Sequence, residues 1–309
     1  MLNKKDQSVK KRNYRSKAAR KEELTAYLCL IPAFLGLTFI SYVPTLAAFV
    51  LSFFDWNGMT PPKFVGIENY VSIFTKDTYF IPSLKATLIY ALLTVIGSLI
   101  YSMIIAIFLN MKVPARTFFR AVFFIPYMLP AIGVFTAWKW LYEVNYGLLN
   151  YINRLVGLRP MKYLESPRQV LPSLALIAVW CAGNLIVIFL AGLQNVPRVY
   201  HEAAQIDGAD SWQRFWYITI PTMSPIIFYN LLMALITNLQ VVTPALAITD
   251  GGPQNASMFL SYLIYEYAFH RYKIGYSAAY AAIFFVLVGI FTVILFRTSK
   301  SWLFYEEEG

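Results

Sequence analysis

Long apolar runs alternate with short polar stretches along this chain, and each run is long enough to cross a bilayer as a helix. The pattern predicts six spans, at about Tyr27 to Phe53, Lys85 to Leu109, Phe119 to Tyr142, Val170 to Leu193, Met223 to Ile248 and Tyr276 to Phe296. Prolines fall inside several of them, including Pro32, Pro44, Pro126 and Pro130; neighbouring helices and water tolerate such breaks inside a membrane. The expected fold class is an all-α integral membrane protein with six transmembrane helices over 27–297. A tail over 1–26 and a short tail over 298–309 flank them.

One polar island between spans four and five breaks the pattern. Asn195 and Pro197 suit a helix start, and Val199, Ala203 and Ile206 then share a face at helical spacing. Asp207-Gly208 supplies a turn, because glycine reaches positive φ without a Cβ clash. Asp210 with Gln213 three places on forms a capping box for a second helix, whose Trp212, Phe215 and Trp216 share an apolar face that can be buried. The island is a helix-turn-helix elbow at about 195–222, lying at a membrane face.

Composition and charge sharpen this. The chain is 58% hydrophobic with a net charge of +10, and much of that excess lies in a cluster running from Lys4 and Lys5 to Arg20 and Lys21. Without an aromatic or glycine pattern for base stacking, the cluster points to anionic membrane lipid and away from nucleic acid. Lys112, Arg116, Arg120, Arg198, Arg214, Arg297 and Lys300 add to the same side, which predicts both termini and the elbow to be cytoplasmic. The first apolar run exceeds a signal-peptide core and is expected to stay as an anchor. Cys29 and Cys181 fall inside spans and read as two buried thiols.

Candidate chemistry is sparse. No carboxylate sits mid-span, and no Gly-x-x-x-x-Gly-Lys-Ser/Thr occurs, so an energy source outside the chain is expected. His201-Glu202 opens like a zinc-protease helix, but Gln205 stands where the second histidine is needed. The uncharged polar groups that stand out inside spans are Asn184 in the fourth and Asn230, Thr237, Asn238, Gln240 and Thr243 in the fifth. Amides offer donors and acceptors to sugar hydroxyls without a charge, and Trp180 offers a flat face for a pyranose ring. The same groups can instead bond a neighbouring helix, the reading favoured for Asn230 and Thr243.

Glu202-Ala203-Ala204, then Gly208, Ile218, Ile220 and Pro221, resembles the cytoplasmic signature loop of permeases in binding-protein-dependent ATP-binding-cassette importers. Ile220 stands where that family most often has leucine. The resemblance implies a type I importer permease fold in which the elbow is a coupling helix held by a separate ATPase. Glu202, Ala203, Ala204, Asp207 and Gly208 would carry that role. Gly66-Ile67-Glu68-Asn69-Tyr70, Arg120 with Phe124-Ile125-Pro126-Tyr127, Tyr146-Gly147-Leu148-Leu149-Asn150 and Gly251-Gly252-Pro253 narrow the resemblance to the carbohydrate branch, maltose-type first permease. It implies a second, different permease, two ATPase subunits that use ATP and magnesium, and an extracellular substrate-binding protein, with no cofactor on this chain.

Against that family, Asn238 matches a sugar-contacting asparagine, and Asn184 and Cys181 match cavity-lining positions; Val241 replaces another contacting asparagine. The expected substrate path is Asn238, Asn184, Gln240, Trp180, Thr237 and Cys181. In length and overall look the chain resembles permeases for pectin-derived oligosaccharides such as rhamnogalacturonan fragments, though no residue decides the sugar. Two other classes stay open: a membrane-embedded enzyme acting on lipid-linked sugars, for which His201, His270, Glu143, Glu165, Asp250 and Glu266 form no evident constellation, and a passive carrier.

Overall fold

The computed structural model describes residues 17–111 and 114–303. The charged tail residues Lys4 to Arg15, Lys112, and the end of the chain after Leu303 lie outside the described residues.

Two units divide the chain, Met1–Val50 and Leu51–Gly309. The described part of the first is one long apolar helix. It comprises α1 (Lys17–Gly36), a π-helical stretch Leu37–Tyr42 and α2 (Val43–Leu51). Almost every side chain described on it is exposed, including Cys29, which therefore is not the buried thiol the sequence suggested. A helix apolar on all sides with no polar face suits surrounding hydrocarbon.

The second unit opens with a two-residue hairpin, β1 (Phe54–Asp55) against β2 (Lys63–Phe64), and a short helix α3 (Glu68–Thr75). The long helix α4 (Phe80–Asn110) is its axis. Buried Ser83, Ala86, Thr87, Ala91, Thr94, Ser98, Ser102 and Ala106 recur on it at three- and four-residue spacing. Small side chains of this kind let helix backbones approach closely where lipid gives no hydrophobic drive. Against α4 pack α8 (Val170–Trp180), α9 (Gly183–Asn195) and α13 (Ser224–Leu239). α5 (Arg116–Met128), α6 (Ala131–Leu141) and the short α7 (Leu148–Leu155) lie between α4 and α8 in sequence.

Spans two and six correspond to α4 and α15 (Ile274–Ser299). Spans three and four are not straight rods. α5 and α6 meet at 98°, because Pro130 forces Leu129 into extended backbone (φ −73°, ψ 146°). α8 and α9 meet at 49° across Cys181 and Ala182. Gly183 closes that corner: a Cβ there would meet Phe123 O at 3.0 Å and Phe124 Cα at 3.2 Å. Span five is broken near its end, and helical backbone resumes at Thr243 and runs as a π-helical stretch over Ala245–Thr249. α13 stops at Leu239 and Val241-Val242 is non-helical, since the ring of Pro244 conflicts with the carbonyl four residues back, on Gln240.

The sequence reading also missed a helix. α14 (Leu260–Tyr265) continues as a π-helical stretch, Glu266–His270, in the interval between the fifth and sixth spans. Thr87 anchors it, accepting from Leu260 N at 2.9 Å while donating to Ser83 O at 2.8 Å.

Candidate functional site: a cavity at three helix breaks

The broken helix ends converge. Leu129 from the α5–α6 corner, Cys181 and Ala182 from the α8–α9 corner, and Gln240, Val241 and Val242 beyond α13 all line one cavity of about 420 Å³. Irregular backbone at membrane depth is tolerated where it lines such a cavity, because the freed peptide groups then have polar company.

Asn184, Thr237, Asn238, Gln240 and Cys181 all line it. Asn238 donates its side-chain N–H to Ala234 O at 2.8 Å, and its Oδ1 makes no hydrogen bond among the described residues. Asn184 and Thr237 likewise make none there, so these polar groups remain available to a solute. Trp180 does not line the cavity. Its ring packs edge-on against Trp138, 5.6 Å between centroids, directed there by the turn at Cys181.

Thr243, expected as a helix-packing group, lines the cavity because it opens the helical turn that resumes after the break at Val241-Val242. Asn230 behaves as expected. It is fully buried, outside the cavity, and donates to Leu185 O at 3.4 Å. Tyr90, Ser98, Tyr127 and Met233 also line the wall and are not among the residues expected from the sequence. Tyr127 and Met233 are exposed, which leaves the cavity open on their side.

The elbow takes the expected local form. α10 (Arg198–Ile206) ends in a C-terminal motif closed by Gly208 at φ +83°. Ala209 N–H donates to Ala204 O at 2.8 Å and Gly208 N–H to Gln205 O at 3.1 Å. Asp210 then caps α11 (Ser211–Arg214) with the full capping box. Its Oδ1 accepts from Gln213 N at 2.7 Å while Gln213 Oε1 accepts from Asp210 N at 2.9 Å. A π-helical stretch, Phe215–Thr219, and α12 (Ile220–Thr222) lead into α13.

The apolar faces of the elbow are not buried within the chain. Ile206 is 87% exposed and Trp212 69%, and the aromatic group packs on itself edge to face, with Trp212 and Trp216 centroids 5.7 Å apart. Glu202, Ala203, Asp207 and Gly208 are exposed, and Glu202 makes no ion pair among the described residues. Through Val196-Pro197 the elbow continues α9, and it leads directly into α13, so both helices that carry the cavity amides end in it.

The candidate acids are less scattered than the sequence suggested. Glu143 and Glu165 share a second hollow of about 430 Å³ with Lys139. Asp250 and Glu266 do not line it.

Residues 98–301 match the family model described as binding-protein-dependent transport system inner membrane component. The chain is 35% identical over 298 residues to the probable ABC transporter permease protein YesP of Bacillus subtilis, covering 95% of this chain and 96% of the relative. It is 36% identical to the multiple sugar-binding transport system permease protein MsmF of Streptococcus mutans, over 88% and 94% of the two chains. A crystal structure of a bacterial ABC transporter involved in the import of the acidic polysaccharide alginate has the same fold. It superposes with a TM-score of 0.79 at 21% identity, over 91% of this chain and 96% of that one. The chain is thus a multi-pass membrane permease of the type I importer fold, a transport subunit and not an enzyme, and it belongs to the family of binding-protein-dependent transport system inner membrane components.

Proposed function

We propose that this permease carries a sugar or oligosaccharide through the cavity between α5, α9 and α13, and that a separate ATPase drives it by gripping the elbow. The observation that carries this reading is the convergence of helix breaks and of amides with spare hydrogen-bonding capacity on one cavity whose two amide-bearing helices both end in the elbow. Neutral amides and hydroxyls with an apolar, aromatic wall suit a sugar, which presents many hydroxyls and flat C–H faces. The relatives include permeases named for multiple sugars and for trehalose/maltose. Within that range, the resemblance in length and overall look points to a pectin-derived oligosaccharide, which no single residue decides.

In this reading a second, different permease closes the open side of the cavity. Two ATPase subunits hold ATP and magnesium, and a substrate-binding lipoprotein delivers the sugar from outside. Both termini and the elbow are cytoplasmic, in a bacterial plasma membrane. Exposed Glu202 pairs across the ATPase interface, and small Ala203 and Ala204 let α10 enter a groove closely. Uptake of labelled oligosaccharide into liposomes tests this. It requires the second permease, the binding protein, the ATPase and ATP together. Sugar flux through this chain alone would replace the reading with a passive carrier.

A further inference from the structure

The inner end of the α5–α9 seam holds two arginines with no counter-ion among the described residues. Arg116 and Arg120 lie one helical turn apart on α5, and both reach the side-chain amide of Gln194 near the end of α9. With that amide oriented by its neighbours, Gln194 Oε1 accepts from Arg116 Nη2 at 2.9 Å and from Arg120 Nη2 at 3.2 Å. Two guanidinium groups thus share one neutral oxygen. Arg116 Nε is buried without a hydrogen-bond partner, and neither arginine forms an ion pair among the described residues. The carboxyl end of α9 supplies only a fractional negative charge, too little to offset two cations on one side of a helix.

Beyond the arginines the seam opens into a groove of about 360 Å³. Ala121, Phe124, Ile186, Val187, Leu190 and Ala191 line it, between Gly183 at one end and Gln194 at the other. Those eleven steps of α9 span about 16 Å, much of one leaflet's hydrocarbon depth. A cationic fork at the head of an apolar channel, lying along a membrane-spanning seam, is complementary to one kind of molecule.

We propose that this groove binds an anionic phospholipid, its phosphate on Arg116 and Arg120 and an acyl chain along α5 and α9. Lipid occupancy would splint α5 to α9 beside the α8–α9 corner. The assignment to the cytoplasmic leaflet rests on the orientation proposed above; the binding itself does not.

Native mass spectrometry of the full-length chain, titrated with phosphatidylglycerol or phosphatidylcholine, tests it. Phosphatidylglycerol is retained roughly tenfold more tightly. Joint Arg116→Gln and Arg120→Gln substitution removes that preference, while Arg116→Lys with Arg120→Lys keeps most of it. Gln194→Glu is the second variant. It gives the two cations an internal carboxylate, so it removes the preference without loosening the fold, read from an unchanged melting temperature. Retention of the full preference in Gln194→Glu overturns the proposal. So does displacement of the lipid by excess inorganic phosphate, which marks a free-anion site. A crosslink from Ala191→Cys to the second permease in the assembled transporter, in place of lipid, also overturns it.

Discussion

Tyr267 donates its phenol hydrogen to Asp77 Oδ2 at 2.6 Å, joining the loop before α4 to the π-helical stretch after α14, 190 positions later in the chain. Tyr276, on α15, donates to the same oxygen at 2.9 Å, and Tyr79 N–H donates to Oδ1 at 2.8 Å. Arg271 lies over the Tyr79 and Tyr267 rings, 5.0 and 4.8 Å from their centroids. One carboxylate thereby ties together three segments at the end of the bundle opposite the elbow. Burial works to raise the Asp77 pKa, but the donors Tyr267, Tyr79 N–H and Tyr276 outweigh it and hold the group below its ordinary 3.8.

The sign of the pH dependence follows. Folding favours the ionised form, so the stabilisation is complete above the ordinary carboxylate range and is lost as pH falls through the lowered value of Asp77. Thermal melts in detergent across the acid range show the wild type losing stability on acidification more steeply than Asp77→Asn. Parallel curves would mean that the cluster contributes nothing through ionisation.

Asn230 and Asn238 are separated by their surroundings. Asn230→Ala removes a buried interhelical bond and lowers stability by about 0.6–2 kcal/mol, measured by unfolding of the purified protein. Asn238→Ala leaves the melting temperature nearly unchanged, since the bond it loses lies within its own helix, yet lowers uptake of the transported sugar. Transport unchanged across several substrates would remove Asn238 from the path.

At Gly208 the constraint is conformational. A Cβ there would meet nothing within 4 Å, yet φ is +83°. Gly208→Val therefore costs about 1–2 kcal/mol of local elbow stability through backbone strain alone. Hydrogen exchange at the Ala209 amide rises, and ATP-driven uptake falls with expression unchanged.

Gly275 presents the opposite case. Its φ is ordinary, but a Cβ would collide with the carbonyl of Phe54 on β1, beside the bond from Gly275 N to Trp56 O at 3.1 Å. The obstruction is backbone, which cannot swing aside. Gly275→Ala is expected to lower stability by about 1–3 kcal/mol by thermal unfolding.

Much of this was legible from the apolar runs and the elbow, because both depend on local rules. Span length follows from hydropathy, the capping box from Asp210 and Gln213, and the turn from Gly208. The cavity's wider wall was not legible, since Tyr90, Ser98 and Tyr127 reach it only after α5 and α9 are bent around α4. Trp180 was misplaced for the same reason: a turn at Cys181, which carries no proline signal, rotates the ring onto Trp138. α14 escaped because a π-helical stretch interrupts its period and tertiary bonds to Thr87 stabilise it. Arg116 and Arg120 read as orientation charges, and only the packing of α9 beside α5 brings them to one amide.

The central claim is that the elbow moves the cavity. In the assembled transporter, with Cys29 and Cys181 replaced by serine, a thiol introduced by Asn238→Cys is labelled from the aqueous phase with and without nucleotide trapped on the ATPase. A labelling rate that changes with trapping is expected, and that change is lost when Gly208→Val strains and loosens the elbow. An identical rate in both nucleotide states, in a transporter that still hydrolyses ATP and imports sugar, would contradict it.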